Sequence, residues 1–424
     1  MLLIRNGTVI DPANGIEEAR DVLVRDGRIA AVEAAGSIDA GEATVVDAAE
    51  CWVVPGLIDM HVHLREPGYE YRETIATGAH SAVAGGFTAV ACMANTEPVN
   101  DNGAVTMAIV ERAREAGLAR VFPIGAVSKG LRGEQLAEIG EMREAGIVAL
   151  SDDGKPIMDG NLMRRALEYA TMFNLPVIVH EEDVNIGNGG VMNEGEVSLR
   201  LGLRGLPAAA EDAMIARDIA ILERTHGHLH VAHISTRGGV HLVREAKARG
   251  LAVTAEAAPH HFSLTDAAVE GYNTNAKMKP PLRTDADVQA VREGLADGTI
   301  DAIATDHAPH HRDEKEVEFD KANDGIVGLE TAVPLSLRLW REFGMSRSRL
   351  VAALSTNPAR ILRLDLGTLG VGAVADITVL DPEVEWTFDP AASPSKSRNT
   401  PFGGAAMKGR ARTTIVAGRV VWQA

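Results

Sequence analysis

His61 and His63 stand two residues apart at the end of an apolar run, Trp52 to His63. A strand's period of two turns both imidazoles to one side. Asp153, His180, His233 and Asp306 each stand at or just past the end of another short apolar run. Imidazole nitrogens and carboxylate oxygens, with no thiolate among them, suit zinc at about 2.0–2.2 Å. A lone His-x-His is more often structural than metallic. Four histidines and two aspartates spread over five strand ends change that balance, and the reading is a metal site. The chain has 14 histidines, an ordinary number for its length, so placement has to decide. His226, His228, His230 and His241 surround the sixth run and read as packing or surface residues; His260 and His261, after the seventh, are weaker candidates for the same rim.

The elements that must hold these residues follow from periodicity. Brief apolar runs alternate with longer amphipathic segments rich in Ala, Arg and Glu. The runs are Trp52 to His63, Thr88 to Met93, Arg120 to Ala126, Ile147 to Ser151, Pro176 to His180, Leu229 to Ile234, Ala252 to Ala257 and Ala302 to Asp306. Helix-like stretches follow, among them Ala104 to Ala116, Glu134 to Ala145, Asn161 to Phe173, Ala209 to Arg224 and Asp285 to Leu295. Eight such units predict an α/β fold, a (β/α)8 TIM-like barrel over 55–365, whose strand-to-helix loops converge on one rim. Residues 1–54 and 366–424 read as short alternating strands with Gly turns. Because isolated hairpins are marginal, the two ends are expected to form one flanking β-sandwich domain. Ala391 to Arg412 reads as the most loop-like stretch. Gly85-Gly86 and Gly238-Gly239 read as turns and hinges, and the charged segment His310 to Glu316 as a mobile lid or a solvated loop.

Composition excludes several function classes. The chain has 424 residues, 42 basic and 59 acidic, for a formal charge of -17, and 46% hydrophobic content. Such a chain lacks the clustered cations that DNA or an anionic membrane surface requires. No window reaches 18 uninterrupted apolar residues, and the N-terminus turns polar too early for a signal peptide. Cys51 and Cys92 lie in apolar runs where free thiols are common, which fits a reducing cytoplasm.

The segment from Gly56 to Gly68, Gly-Leu-Ile-Asp-Met-His-Val-His-Leu-Arg-Glu-Pro-Gly, resembles the opening signature of bacterial dihydroorotases of the longer type, within the amidohydrolase superfamily. Met93 to Thr96, Ser151 to Gly154, His180 to Glu182, His233 to Ser235, Pro280 to Arg283 and Thr305 to His310 follow in the family's order, so the resemblance spans nearly the whole chain. It implies a zinc enzyme, with one or two ions per subunit, interconverting N-carbamoyl-L-aspartate and L-dihydroorotate in pyrimidine synthesis. Hydantoinases and allantoinases share single motifs; Arg65 and the Asp153 segment are more specific.

The resemblance also implies roles. Metal ligands are His61, His63, Asp153, His180, His233 and Asp306. Asp153 takes the bridging place that a carboxylated lysine fills in hydantoinases, with Asp152 left as a turn or cap residue and Lys155 out on the loop. Asp306 is the proton shuttle, a carboxylate that takes a proton from water and returns it to the ring nitrogen. His63, Arg65, Asn95 and His310 are expected to bind substrate, Arg65 through the planar fork that matches a carboxylate. Lys279, Asp324 and Gly325 are expected to join them, at positions where this chain departs from the family's pattern. Expected partners are the small-molecule substrate, a second copy in a homo-oligomer, a dimer, and aspartate transcarbamoylase; relatives without metal ligands serve that enzyme as structural partners.

Overall fold

The computed structural model describes residues 1–424. Its barrel strands are Leu57–Val62, Phe87–Cys92, Arg120–Pro123, Leu150–Ser151, Val177–Val179, Leu229–Val231, Val253–Ala257 and Ala302–Ile303. Neighbours pair in parallel, and a bridge between Gly125 and Leu150 joins the third strand to the fourth. The ring closes where the eighth strand meets the first: Val62 bridges His307, and His63 N donates to His307 O at 2.8 Å. Closure thus falls beside the His61–His63 pair and brings Asp306 next to it.

The helices form where capping and periodicity agree. Asp159 accepts from Asn161 N and Leu162 N at the start of helix Gly160–Thr171, which buries Leu162, Met163, Ala166, Leu167 and Ala170. Each large side chain so buried contributes roughly 1.5–3 kcal/mol. Asn102 caps Gly103–Ala116, and Thr284 forms a capping box with Asp287 at Asp285–Asp297. The third helix is shorter than its pattern suggests, Ile139–Ala145, because residues 134–138 turn back along the rim. The Gly238-Gly239 pair lies inside helix Arg237–Ala248 rather than in a hinge: a Cβ on Gly238 would fall 2.1 Å from Asp212 Oδ2, so the glycine permits close helix packing.

Inside the ring, Met60, Ala91, Met93, Ile124, Val148, Ala149, Ile178, Ala232, Ala302 and Ala304 pack with Ile361 and Leu362. The small alanines suit a narrow barrel interior, which is filled and not a pore. The larger core lies between strands and helices.

Both chain ends enter one curled nine-stranded sheet. Its main path runs Arg419–Gln423, Ala406–Val416, Ile377–Thr387, Trp52–Pro55, Thr8–Asp11, Ile16–Arg25, Leu2–Arg5 and Thr44–Asp47, with Arg28–Ala34 added on Ile16–Arg25. A cluster of 14 buried residues, among them Ile4, Val22, Val53 and Ile377, forms its core. The apolar run Trp52 to His63 is therefore two strands. Trp52–Pro55 belongs to this sheet and Leu57–Val62 to the barrel, with Gly56 between them, where a Cβ would fall 2.1 Å from Thr88 Oγ1. The stretch Ala391 to Arg412 is loop only as far as residue 405, since strand Ala406–Val416 begins there. Residues 393–399 cross from the sheet to the barrel rim, a connection the composition did not announce.

Candidate metal centre and active site

Three overlapping groups, His61–His233–Asp306, His61–His63–Asp153 and Asp153–His180–His233, each place their ligand atoms within 4.8 Å of one another. Asp153 sits in the middle. Its Oδ1 lies 3.5 Å from His61 Nε2, 3.5 Å from His180 Nδ1 and 3.4 Å from His233 Nε2, and its Oδ2 lies 3.4 Å from His63 Nε2. Asp306 Oδ1 lies 3.0 Å from His63 Nε2 and 3.5 Å from His61 Nε2. The structure therefore gathers all six residues that the sequence singled out, each of them buried.

The site's backbone is unusual as well. Arg65, His233 and Asp306 have φ of 62°, 32° and 47°, a left-handed conformation that costs a non-glycine residue free energy and persists only where surroundings impose it. Asp59 is one such constraint. It accepts from Thr305 N at 3.1 Å and from the Thr305 hydroxyl at 2.5 Å, and also from His61 N at 3.1 Å, locking first strand to eighth. Burial pushes its carboxyl up to about 7.

The donor set fits a divalent cation. His61 Nε2, Asp153 Oδ1 and His233 Nδ1 are buried with no hydrogen-bond partner, an arrangement that is costly unless something ligates them. His61 Nδ1 is 2.6 Å from Glu256 Oε1, which leaves Nε2 as the atom able to ligate. Burial lowers the proton affinity of His61, but the carboxylates of Asp153, Asp306 and Glu256 outweigh it and hold His61 well above the usual histidine range. The same carboxylates favour any positive charge at this point. Burial raises Asp153 and Asp306, yet the charge of His61 and the other histidines around them hold both below the ordinary carboxylate range, so both are anionic at neutral pH and able to ligate a cation.

On one side of this centre lie groups able to hold an anion. Arg65 is buried; its Nε donates to Pro309 O at 3.1 Å, and its Nη2 lies 3.4 Å from His310 Nε2. Burial, then the neighbouring Arg72, lowers Arg65 to about 10, which leaves it positive at neutral pH. Asn95 Oδ1 accepts from His63 Nδ1 at 2.9 Å, which leaves its amide nitrogen as a donor. His310 Nε2 donates to Asp324 O at 2.8 Å. Gly325, at φ 158°, has no room for a side chain: a Cβ would fall 2.6 Å from His310 Cδ2.

Other residues have partners that the sequence did not announce. Lys279 Nζ pairs with Glu182 Oε1 at 3.1 Å. Asp324 contributes a backbone carbonyl here, its carboxylate lying 3.8 Å from Lys277 Nζ. Asp152 is not a turn residue but a buried strut, accepting from Val127 N, Ser128 N and the Ser128 hydroxyl, and so joining third strand to fourth. His230 is neither surface nor simple packing. It lies between Thr254 Oγ1, 2.8 Å from Nδ1, and Glu256 Oε2, 3.2 Å from Nε2. The segment after His310 forms a short helix, Arg312–Lys315, whose Glu314 is paired with Arg72 and whose buried Lys315 is held by Asn323 O at 2.6 Å and Gly325 O at 3.2 Å. It is a packed wall of the site in this structure. Glu256 was missed, although a carboxylate two residues from Thr254 in a buried strand demands a partner on the same face.

Residues 51–239 match a family described as Dihydro-orotase-like, and residues 198–422 match the Amidohydrolase family. The chain is 58% identical over 422 residues to a dihydroorotase of Syntrophotalea carbinolica, covering 100% of this chain and 99% of that one. It is 58% identical over 424 residues to a dihydroorotase of Anaeromyxobacter dehalogenans, covering 99% and 98%. Among solved structures, the L-hydantoinase (dihydropyrimidinase) of Arthrobacter aurescens superposes with a TM-score of 0.88 at 26% identity, covering 100% of this chain and 96% of that one. A dihydropyrimidinase of Brevibacillus agri shares the fold, with a TM-score of 0.86 at 23% identity over 100% and 95% of the two chains. No helix is long and apolar enough to cross a membrane.

Proposed function

The chain belongs to the dihydroorotase family of the amidohydrolase superfamily, and from that premise we propose that it interconverts N-carbamoyl-L-aspartate and L-dihydroorotate at the buried histidine–aspartate centre. The observation that carries the substrate is Arg65: a buried guanidinium beside the metal-ligating cluster has no use for a neutral ring and fits a carboxylate. Asn95 and His310 flank it and complete a carboxylate seat; Gly325 and the Asp324 carbonyl fix the His310 ring, and Lys279, paired with Glu182, is a further cation for the substrate.

We assign His61, His63, Asp153, His180, His233 and Asp306 as holding one or two zinc ions. Bound there, zinc would lower the pKa of a water and polarise the ring carbonyl. The chain's own part is proton transfer and orientation. Asp306, anionic and 3.0 Å from His63, accepts the proton of the attacking water and delivers it to the ring nitrogen as the amide bond breaks. In the cyclising direction the same carboxyl protonates the departing hydroxyl. Arg65 and Asn95 hold the carboxylate so that the carbonyl carbon faces the water, which is the entropic part of the catalysis.

A related cyclic amidase, hydantoinase-like or allantoinase-like, is the second reading, favoured by the fold likeness. The 58% identity to dihydroorotases and the presence of Asp153 where a bridging lysine would stand weigh against it. The filled ligand set weighs against a purely structural partner of aspartate transcarbamoylase. The assembly we propose is a cytoplasmic homodimer, alone or with that transcarbamoylase. The test is hydrolysis of dihydroorotate, hydantoin and allantoin by metal-loaded protein. Dihydroorotate should be preferred by at least about a hundredfold; faster turnover of hydantoin or allantoin overturns the reading.

A further inference from the structure

Residues 393–399 leave the flanking sheet and lie along the barrel rim, tied down at successive points. The Ser395 hydroxyl and Lys396 N bond the buried Glu73, and the Ser397 hydroxyl donates to Arg72 O at 2.8 Å. The last anchor, Asn399, reaches the two loops that carry the anion-binding groups. Its Nδ2 donates to Ala308 O at 2.9 Å and to Gly325 O at 2.9 Å, its Oδ1 accepts from His310 N at 3.0 Å, and its carbonyl accepts from Val327 N at 3.0 Å. Asn399 is buried, so none of these groups has water as a substitute. The bonds bridge 91, 74 and 89 residues of sequence.

Only an amide matches this demand. Two carbonyls need two N–H donors and one backbone N–H needs an acceptor, all from one planar group. The closely similar aspartate would turn an anion toward Ala308 O and Gly325 O. Held by Asn399, the His310 backbone and the Gly325 peptide stay in register, and with them His310 Nε2 on Asp324 O and Arg65 Nε on Pro309 O.

We propose that Asn399 is a positioning residue through which the flanking sheet's strap sets the carboxylate seat formed by Arg65 and His310. The inference rests on the reading of that seat as one for a carboxylate-bearing ring. It requires that loosening Asn399 change affinity for the carboxylate and leave the metal centre intact. The test compares wild type, Asn399→Asp, Asn399→Ser and Ser397→Ala, all metal-loaded and with metal content measured. For dihydroorotate, the Asn399→Asp and Asn399→Ser variants should raise KM about tenfold or more, with kcat changed less than about threefold and metal content equal to wild type. Dihydrouracil, the ring without the carboxylate, should be turned over as slowly as by wild type. Ser397→Ala removes a neighbouring anchor that does not touch His310 and should leave KM within about twofold. Should Asn399→Asp not fold, Asn399→Ser, smaller and uncharged, carries the comparison; failure of both to fold makes Asn399 a folding residue and overturns the proposal. Equal loss in Ser397→Ala, a fall in kcat or metal content without a KM change, or an unchanged KM also overturns it. Wild-type protein inactive on dihydroorotate would instead defeat the functional reading on which the seat depends.

Discussion

Glu256 Oε1 lies 2.6 Å from His61 Nδ1, while its other oxygen lies 3.2 Å from His230 Nε2, which in turn reaches Thr254 through Nδ1. A chain of polar groups on the sixth and seventh strands therefore orients the His61 ring of the first, which we propose as a metal ligand. Glu256 is buried, and the charge of His61 with its own hydrogen bonds outweighs burial to hold its carboxyl down at about 2, so it is an anion at any working pH. Partners of this kind fix the ring and raise its basicity, and their loss costs about 10- to 100-fold in metal affinity. Glu256→Ala should show that loss in a competitive chelator titration, with Glu256→Gln intermediate. Wild-type affinity in Glu256→Ala would mean that His61 is held by packing alone.

Asp153 lies within 3.5 Å of a nitrogen of each of His61, His63, His180 and His233, whereas Lys155 is exposed on the loop. Asp153→Ala should therefore retain little metal after dialysis and show activity reduced at least about a thousandfold. Lys155→Ala should keep most metal and activity. Equal metal content in wild type and Asp153→Ala would remove the aspartate from the centre.

The barrel and the placement of polar residues on its rim were legible because local pattern specifies them: period two puts His61 and His63 on one face, and apolar runs of β-branched residues mark strands buried on both sides, while the choice of Asp153 over Asp152 came from the family resemblance. What escaped depends on contacts between distant segments. Glu256 sits in the run Val253–Ala257 with no local sign of its partner, which enters only when the sixth and seventh strands pair with His230 opposite Thr254. Asp152 adjoins Asp153 and shares its local pattern, yet one is a strut to Ser128 and the other faces four histidines, a division made by the third strand's approach. Asn399 lies in a stretch whose Ser, Pro and Gly content describes its lack of regular structure and not its destination. Lys279 was legible as a departure, but its pairing with Glu182 was not.

Arg65 and His310 meet over 245 residues of sequence, with Nη2 and Nε2 3.4 Å apart. If they form the carboxylate seat, Arg65→Met keeps the bulk of the stem and removes the two charge-assisted hydrogen bonds, each worth roughly 1.5–3 kcal/mol. The expected result is a fall in kcat/KM for dihydroorotate of about a hundredfold or more, carried mainly by KM, with metal content unchanged. Unchanged kinetics would remove Arg65 from substrate binding.

Lys315 offers a pH test that does not involve the metal centre. Its ammonium is buried against carbonyls of Asn323, Gly325 and Lys277, and burial lowers it to about 8 from 10.5. Between those two values the unfolded chain binds the proton that the folded chain has released, so folding stability should rise as pH increases from about 8 to about 10.5. Below about pH 8 both states are protonated and Lys315 gives no pH dependence. The full gain is at most about 3 kcal/mol. Because other groups titrate in this window, the quantity to measure is the difference in urea-unfolding free energy between wild type and Lys315→Met at pH 7.5 and at pH 10. Lys315→Met should be less stable at both, and the gap should widen at the higher pH as wild type sheds the cost of its buried charge. A gap that stays constant or narrows would show that the three carbonyls solvate the ammonium as well as water does.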